Sequence, residues 1–235
     1  MKTAARTAPL DLKLPGGTTA ALRREQVITA LRNAILDFRL KPGQRLIERE
    51  IIESLGVSRT TVREALSELA AEGLLTIIPQ KGALVSAPTA EEALDLYDIR
   101  ASLEAMTVER FVARATQSQV IMFEAAVERF SELAEAQASI KELLQTKDDM
   151  FGILLEGAGS QALRQIVEGI QVRVRILRAT SMSSHDRVLE SVKELRDVAG
   201  AIRSRDAGEA ARLYSAHIQA ASKATMNKLP LIEGS

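Results

Sequence analysis

The sequence predicts a mainly α-helical chain in two parts, a small mixed unit followed by a larger all-α one. Three observations carry this. Apolar residues recur at helical spacing in almost every segment from Ala20 onward. One stretch, "LLTIIPQKGALVS" at 74–86, reads instead as two short β-prone runs around Pro79, Gln80, Lys81 and Gly82, a hairpin. Beyond it, about 145 residues carry almost no strand signal.

The elements follow in order. Residues 1–18 mix Pro, Gly, Thr and Ala without periodicity and read as a flexible arm. "REQVITALRNAILDFRL" then places Val27, Leu31, Ala34, Ile35 and Phe38 on one helical face, and "KPGQ" at 41–44 stops the helix. A second, short helix spans Glu48 to Leu55, with Ile51, Ile52 and Leu55 inward. A tight "GVS" follows, and a third helix begins near Arg59 with Val62, Ala65, Leu66 and Leu69 inward. Helix, helix, tight turn, helix and hairpin make a winged helix-turn-helix. Behind it, six helical patterns at 90–114, 117–137, 139–157, 160–182, 186–205 and 207–227 make an all-α bundle. The domain reading is an arm at 1–18, a winged helix-turn-helix at 19–87, an all-α domain at 88–229 and a tail at 230–235.

Composition narrows the chemistry. The chain of 235 residues is 46% hydrophobic and has no cysteine, which removes disulfides, thiolate nucleophiles and cysteine-based zinc sites. No run approaches the roughly 18 apolar residues that a membrane span needs, and the first residues lack a signal-peptide core, so a cytoplasmic protein with no membrane partner is expected. Residues 1–88 carry 13 Lys and Arg against 9 Asp and Glu, whereas the remainder carries 18 against 22. A basic front joined to an acidic body is the asymmetry of a chain that touches nucleic acid with one part.

On the third helix the inward stripe leaves Arg59, Thr60, Thr61 and Arg63 outside, at the end that enters a major groove when a recognition helix docks by its N-terminus. Arg49 on the preceding helix is placed to hold the DNA backbone, and Lys81 with Gly82 at the hairpin tip to enter the flanking minor groove. "PGQRLIEREIIESLGVSRTTVREALSELAAEGLLTIIPQKGALVS" resembles the DNA-binding domain of the GntR family of bacterial transcription regulators over residues 42–86. By that resemblance Arg49, Arg59 and Arg63 stand where operator-contacting arginines stand. Thr60 and Thr61 match the contacts beside them, and Gly82 the wing-tip glycine.

The second part is similar to the FCD effector domain of the FadR subfamily, in its six-helix, VanR-like form. "IRASLEAMTVER", "DDMFGILLEGAGSQAL" and "RDAGEAARLYSAHI" carry the likeness. The resemblance implies a divalent metal held by one aspartate and three histidines, which seats a small carboxylate effector. Here Asp148 matches the aspartate and His217 the last histidine. Gly152 and Leu195 stand where two other histidines would, so the set is incomplete and neither metal nor other cofactor is expected. Periodicity puts Asp148 with Leu144, Phe151 and Leu155; Leu195 with Val188, Val192, Ala199 and Ile202; and His217 with Leu213, Tyr214 and Ala221. A core histidine satisfied by Asp148 or by a backbone carbonyl competes with a ligand role for His217. Without a metal, an anionic effector requires arginine, and the candidates are Arg173 and Arg178, which flank the stripe Leu163, Ile166, Ile170, Val174 and Leu177, and Arg100, which by the resemblance matches the arginine on the family's first effector helix. An Arg100–Glu104 ion pair one turn apart is the competing reading.

Two further patterns carry no chemistry. "GAGSQA" at 157–162 follows a helix rather than a strand, and "SSHD" at 183–186 is contiguous rather than convergent. The expectation is a ligand-responsive regulator that binds a double-stranded, inverted-repeat operator as a homodimer and responds to a small anionic metabolite. No residue is assigned a catalytic role. Two rival readings are a DNA-tethered enzyme using Asp148 and His217, and an architectural DNA binder without an effector.

Overall fold

The computed structural model describes residues 20–36, 39–78, 82–86 and 88–228. The arm at 1–18, the tail at 230–235, Phe38 and the hairpin residues Pro79, Gln80 and Lys81 lie outside the described residues. Contacts divide the chain into two compact units between residues 87 and 88.

The first unit contains α1 (Ala20–Leu36), β1 (Arg45–Leu46), α2 (Glu48–Leu55), α3 (Arg59–Ala71), β2 (Leu75–Ile78) and β3 (Gly82–Val85). Val27, Ile28, Leu31, Ala34 and Ile35 of α1 pack with Val62, Ala65, Leu66 and Leu69 of α3 to form its core. Full burial of each large aliphatic side chain stabilises by about 1.5–3 kcal/mol. The "GVS" segment does three jobs in succession. Gly56, at φ 63°, closes α2 by donating its amide to the Ile52 carbonyl; Val57 is buried; and the Ser58 hydroxyl caps α3 by accepting from the Thr61 amide at 3.1 Å. The turn therefore fixes the angle between the two helices.

The hairpin becomes a three-stranded antiparallel sheet of order β1-β3-β2, because Arg45 and Leu46 pair with Leu84 and Ala83. Two residues are too short a run for alternation to reveal. This strand also accounts for Gly82, which has φ 93°: an added Cβ would lie 2.5 Å from the Leu46 carbonyl oxygen.

The second unit contains α4 (Ala90–Arg114), α5 (Gln117–Glu135), α6 (Ile140–Ala158), α7 (Gln161–Ser181), α8 (His185–Arg203) and α9 (Ala207–Met226). Reciprocal capping boxes start three of them, Thr89 with Glu92, Thr116 with Gln119 and Ser139 with Glu142. Helix α4 packs on α9 and α6, α5 on α6 and α8, and α8 on α9. Gly157 permits the α4–α6 approach, since a Cβ there would come within 2.5 Å of the Phe111 ring. The inward stripe of α7 differs from the expected one: Ile166 is 56% exposed and Val167 is buried in its place. No helix among the described residues is long and apolar enough to cross a membrane.

Candidate functional site

In the first unit, a groove of ≈ 470 Å³ opens between α2, α3 and the sheet, lined among others by Arg45, Glu48, Arg49, Arg59, Arg63 and Gly82. Four of the seven expected DNA-contacting residues thus share one surface. Thr60 is exposed beside it, while the Thr61 hydroxyl lies 2.8 Å from that of Ser58, inside the cap. Lys81 lies outside the described residues. Glu48 organises this surface. Its carboxylate accepts from Arg59 Nε at 3.3 Å and from Arg63 Nε at 3.1 Å, whereas Arg49 pairs with Glu53 at 3.7 Å. Glu48 precedes those arginines by 11 and 15 residues on another helix, so helical periodicity alone does not point to it.

In the second unit, charged side chains from α4, α6, α7 and α8 meet His217 of α9 in the core. On α4, Arg100 Nε donates to Glu104 Oε1 at 2.9 Å, and both residues are buried. Arg178 of α7 reaches the same oxygen at 3.5 Å and donates to Asp148 Oδ1 of α6 at 3.0 Å; Arg175 donates to the other Asp148 oxygen. On α8, Arg187 holds Glu194 through two bonds of 3.1 and 2.8 Å. Lys147 of α6 donates to Ser191 Oγ of α8 at 2.9 Å and faces His217 Nε2 of α9 at 3.1 Å; its ammonium also lies 4.7 Å from the Phe130 ring centre.

His217 is thereby fixed in one tautomer. Nδ1 lies 2.5 Å from Glu194 Oε2, which can only accept, so the ring donates there and presents Nε2 as acceptor to Lys147. Burial, and then the charge of Lys147, lower the histidine pKa to about 3 and keep it neutral. Burial, and then Arg178 and Arg187, push the Lys147 pKa well below its ordinary value. Burial alone would raise the Glu104 pKa, but Arg100 and Arg178 outweigh it and hold the carboxyl ionised.

Arg100, Lys147, Arg178, Arg187, Leu195 and His217 are among the residues enclosing a cavity of ≈ 20 Å³. The structure therefore brings together Arg100, Arg178, Leu195 and His217 of the expected effector residues, with Asp148 joined through Arg178. Two expectations need correction. Arg173 is exposed, because it lies five residues before Arg178, off the face that Val174, Arg175 and Arg178 share. Gly152 is half-buried, outside the cavity lining, with nothing within 4 Å of an added Cβ. The His217 partner is also Glu194 rather than Asp148. As a result the Asp148/His217 pair, the acid–base candidate named from the sequence, is divided between different partners.

The same geometry tests the metal that the resemblance implies. Asp148 spends its oxygens on two guanidinium groups, and His217 has one nitrogen on Glu194 and the other facing an ammonium. Among the described residues no group of three or more His, Cys, Asp or Glu is placed to hold an ion. The donor set does not fit a divalent metal. Lys147, Ser191, Arg187 and Glu194 were not singled out from the sequence. Lys147 carried a signal, since it falls on the buried α6 stripe of Leu143, Leu144, Met150 and Leu154.

Comparison with known proteins agrees with this architecture. Residues 23–85 match the model of the bacterial regulatory proteins of the gntR family, and residues 95–220 match the FCD domain. The Nta operon transcriptional regulator of Aminobacter aminovorans is 30% identical over 188 residues, covering 78% of this chain and 85% of the relative. The transcriptional repressor RspR of Escherichia coli K12 is 25% identical over 199 residues, covering 85% and 87%. The crystal structure of a putative GntR transcriptional regulator from Rhodococcus sp. RHA1 shares the fold with a TM-score of 0.76 at 23% identity, covering 89% of this chain and all of that one. The two sequence relatives are named as transcription regulators. The chain accordingly belongs to the GntR family of bacterial transcription regulators, in the group that carries an FCD effector-binding domain.

Proposed function

We propose that the protein binds an inverted-repeat operator as a homodimer and that a small anionic metabolite, held in the core of the helical domain, alters this binding. The observation that carries the effector reading is the convergence of Arg100, Lys147, Arg178 and Arg187, all buried, on one enclosed cavity. Buried cations are retained at a cost of several kcal/mol each unless counter-charge reaches them. Glu104, Asp148 and Glu194 reach the three arginines, whereas Lys147 meets Ser191 and His217 and no carboxylate among the described residues, and an anionic ligand supplies the counter-charge there.

For the operator, Arg59 and Arg63 stand at the front of α3 with their Nε atoms on Glu48, leaving the terminal guanidinium nitrogens to face DNA. One helix reads only a few base pairs, so paired half-sites require two copies. Leu94, Ile99 and Met106 on α4, all exposed, support a subunit contact through that helix. The test is selection of binding sites from random duplexes, followed by the stoichiometry of the complex. Two chains per palindromic site are expected, and one chain on an asymmetric site would refute the dimer reading.

A further inference from the structure

The groove beside α3 holds more than the arginines. Arg59, Arg63 and Ser67 follow one another at intervals of four along α3, all exposed, so they form one stripe that runs from the helix front along the groove. Glu64 and Glu68 of the same helix are not part of the lining, and Glu68 turns to Arg24. Among the described residues Glu48 is the one carboxylate that lines the groove, and the Nε atoms of Arg59 and Arg63 occupy it. The helix side of the groove is therefore cationic and hydroxylic.

The groove also carries apolar surface. Among the described residues of the first unit, two large hydrophobic side chains are exposed, Ile47 at 36% and Ile77 at 47%, and both line this groove. Sheet register explains Ile77: it pairs with Ala83, which pairs in turn with Leu46, so the three form one row across the sheet. Leu46 and Ala83 are buried, whereas Ile77, on the edge strand β2, ends the row in the open. Ile47 stands at the N-cap of α2, beside Glu48. Single exposed apolar residues are ordinary, but two in one cationic groove mark a contact surface.

We propose that this groove seats one sugar–phosphate strand of the operator, with Ser67 donating to a phosphate oxygen and Ile47 and Ile77 resting against deoxyribose, so that the three position the protein without reading bases. This rests on the operator reading above and extends it from the arginines to the rest of the groove. Anionic phosphates and largely apolar sugars alternate along a DNA strand, and the lining offers cations, a hydroxyl and isoleucines to match. The groove is also continuous with the arginine surface assigned to DNA, so another occupant would have to compete with the duplex for Arg59 and Arg63. Contacts of this kind carry no sequence information and fix only the register of the protein on the duplex.

The test is anisotropy titration of the full chain on a selected site and on a random-sequence duplex over a range of salt. Ile77→Lys places an ammonium where the strand lies, so it should tighten binding to both duplexes at least about threefold and steepen the slope of log affinity against log salt by about 0.9. The same charge at Thr29, exposed on α1 and outside the lining, should leave the slope unchanged. Ser67→Ala removes a hydrogen bond but no charge, and should weaken both duplexes by one common factor of about two to tenfold at unchanged slope. Melting temperature checks the fold, and should Ile77→Lys fail to fold, Ser67→Lys on the exposed stripe carries the same test. A slope unmoved by the groove lysine, with Arg59→Ala and Arg63→Ala still weakening binding, overturns the groove proposal and leaves the operator reading standing. Arginine variants that also bind as the unmodified chain does overturn both. A Ser67→Ala loss confined to the selected site overturns the positioning role of Ser67, which would then read a base.

Discussion

The ammonium nitrogen of Lys147 lies 3.1 Å from Nε2 of His217, so two basic groups face each other in the core and only one of them can carry the shared proton. Glu194 accepts from Nδ1–H on the far side of the ring and so leaves Nε2 as the acceptor, while burial and the lysine charge keep the imidazole neutral.

That arrangement makes stability depend on acidity. The groups facing His217 are Lys147 from α6, Glu194 and Arg187 from α8, Tyr214 from α9 and the charge of Glu104 from α4. With its folded pKa at about 3 against 6.5 unfolded, the histidine is protonated first in the unfolded chain as pH falls. Stability is therefore lost progressively from pH 6.5 toward 3, at about 1.4 kcal/mol per unit for this one group. Glu104 and Glu194, whose pKa values are lowered, act in the same direction, but only near and below 4.5. Between pH 7 and 5 the two carboxyls are silent, but Lys147, whose pKa is also lowered, acts in the same direction as the histidine, so the loss of slope in His217→Gln by urea denaturation gives the histidine's share.

On DNA, Arg59→Ala or Arg63→Ala should cost about 1–3 kcal/mol on the selected site if the arginine reads a base edge. A phosphate contact would instead weaken all sequences alike and reduce the salt slope. Anisotropy titrations on specific and random duplexes separate these outcomes.

Glu48→Gln removes the acceptor that holds both arginines and also a negative charge from the DNA-facing groove. We expect tighter binding to random duplex and a smaller ratio of specific to random affinity. An unchanged ratio would mean that Glu48 does not orient the arginines.

The glycines divide by what surrounds them. Gly82→Ala meets the Leu46 carbonyl and a left-handed backbone, so it should destabilise the first unit by at least about 1–3 kcal/mol. Gly152→Ala meets nothing and sits within α6, so it should stabilise by about 0.5–1 kcal/mol. Thermal unfolding of the two variants checks both signs.

Much of this was legible from the sequence because long amphipathic helices and end signals are local. The bounds of α2 and the buried faces of α1, α3 and α8 follow from apolar spacing, while β1 was not legible because its two residues acquire meaning only from β3. In the core site, Arg100, Arg178 and His217 were placed by helical position and by resemblance. Ion-pair partners were harder, since Lys147 and His217 are 70 residues apart and Glu194 and His217 are 23 apart. Arg173 shows the limit in the other direction. It flanks the right stripe, yet five residues at about 100° each turn it roughly 140° from the face that Arg178 occupies, a difference that settles exposure but is lost when a stripe is read broadly.

Metal analysis tests the donor-set argument from a separate side. Purified protein should contain no stoichiometric Zn, Ni or Mn, and EDTA should leave its melting temperature unchanged. One tightly held ion per chain would require Asp148 to leave Arg175 and Arg178, against the geometry described.

The central claim is that an anion in the helical core changes operator binding. The most direct measurement is the operator-binding isotherm of the full chain with and without saturating malonate or phosphate, whichever binds, for the unmodified protein and Lys147→Met. The account predicts equal affinities without the anion, a shift of about tenfold or more in the unmodified protein when it is added, and no shift in the variant. An operator affinity indifferent to the anion in both, or shifted equally in both, would contradict it.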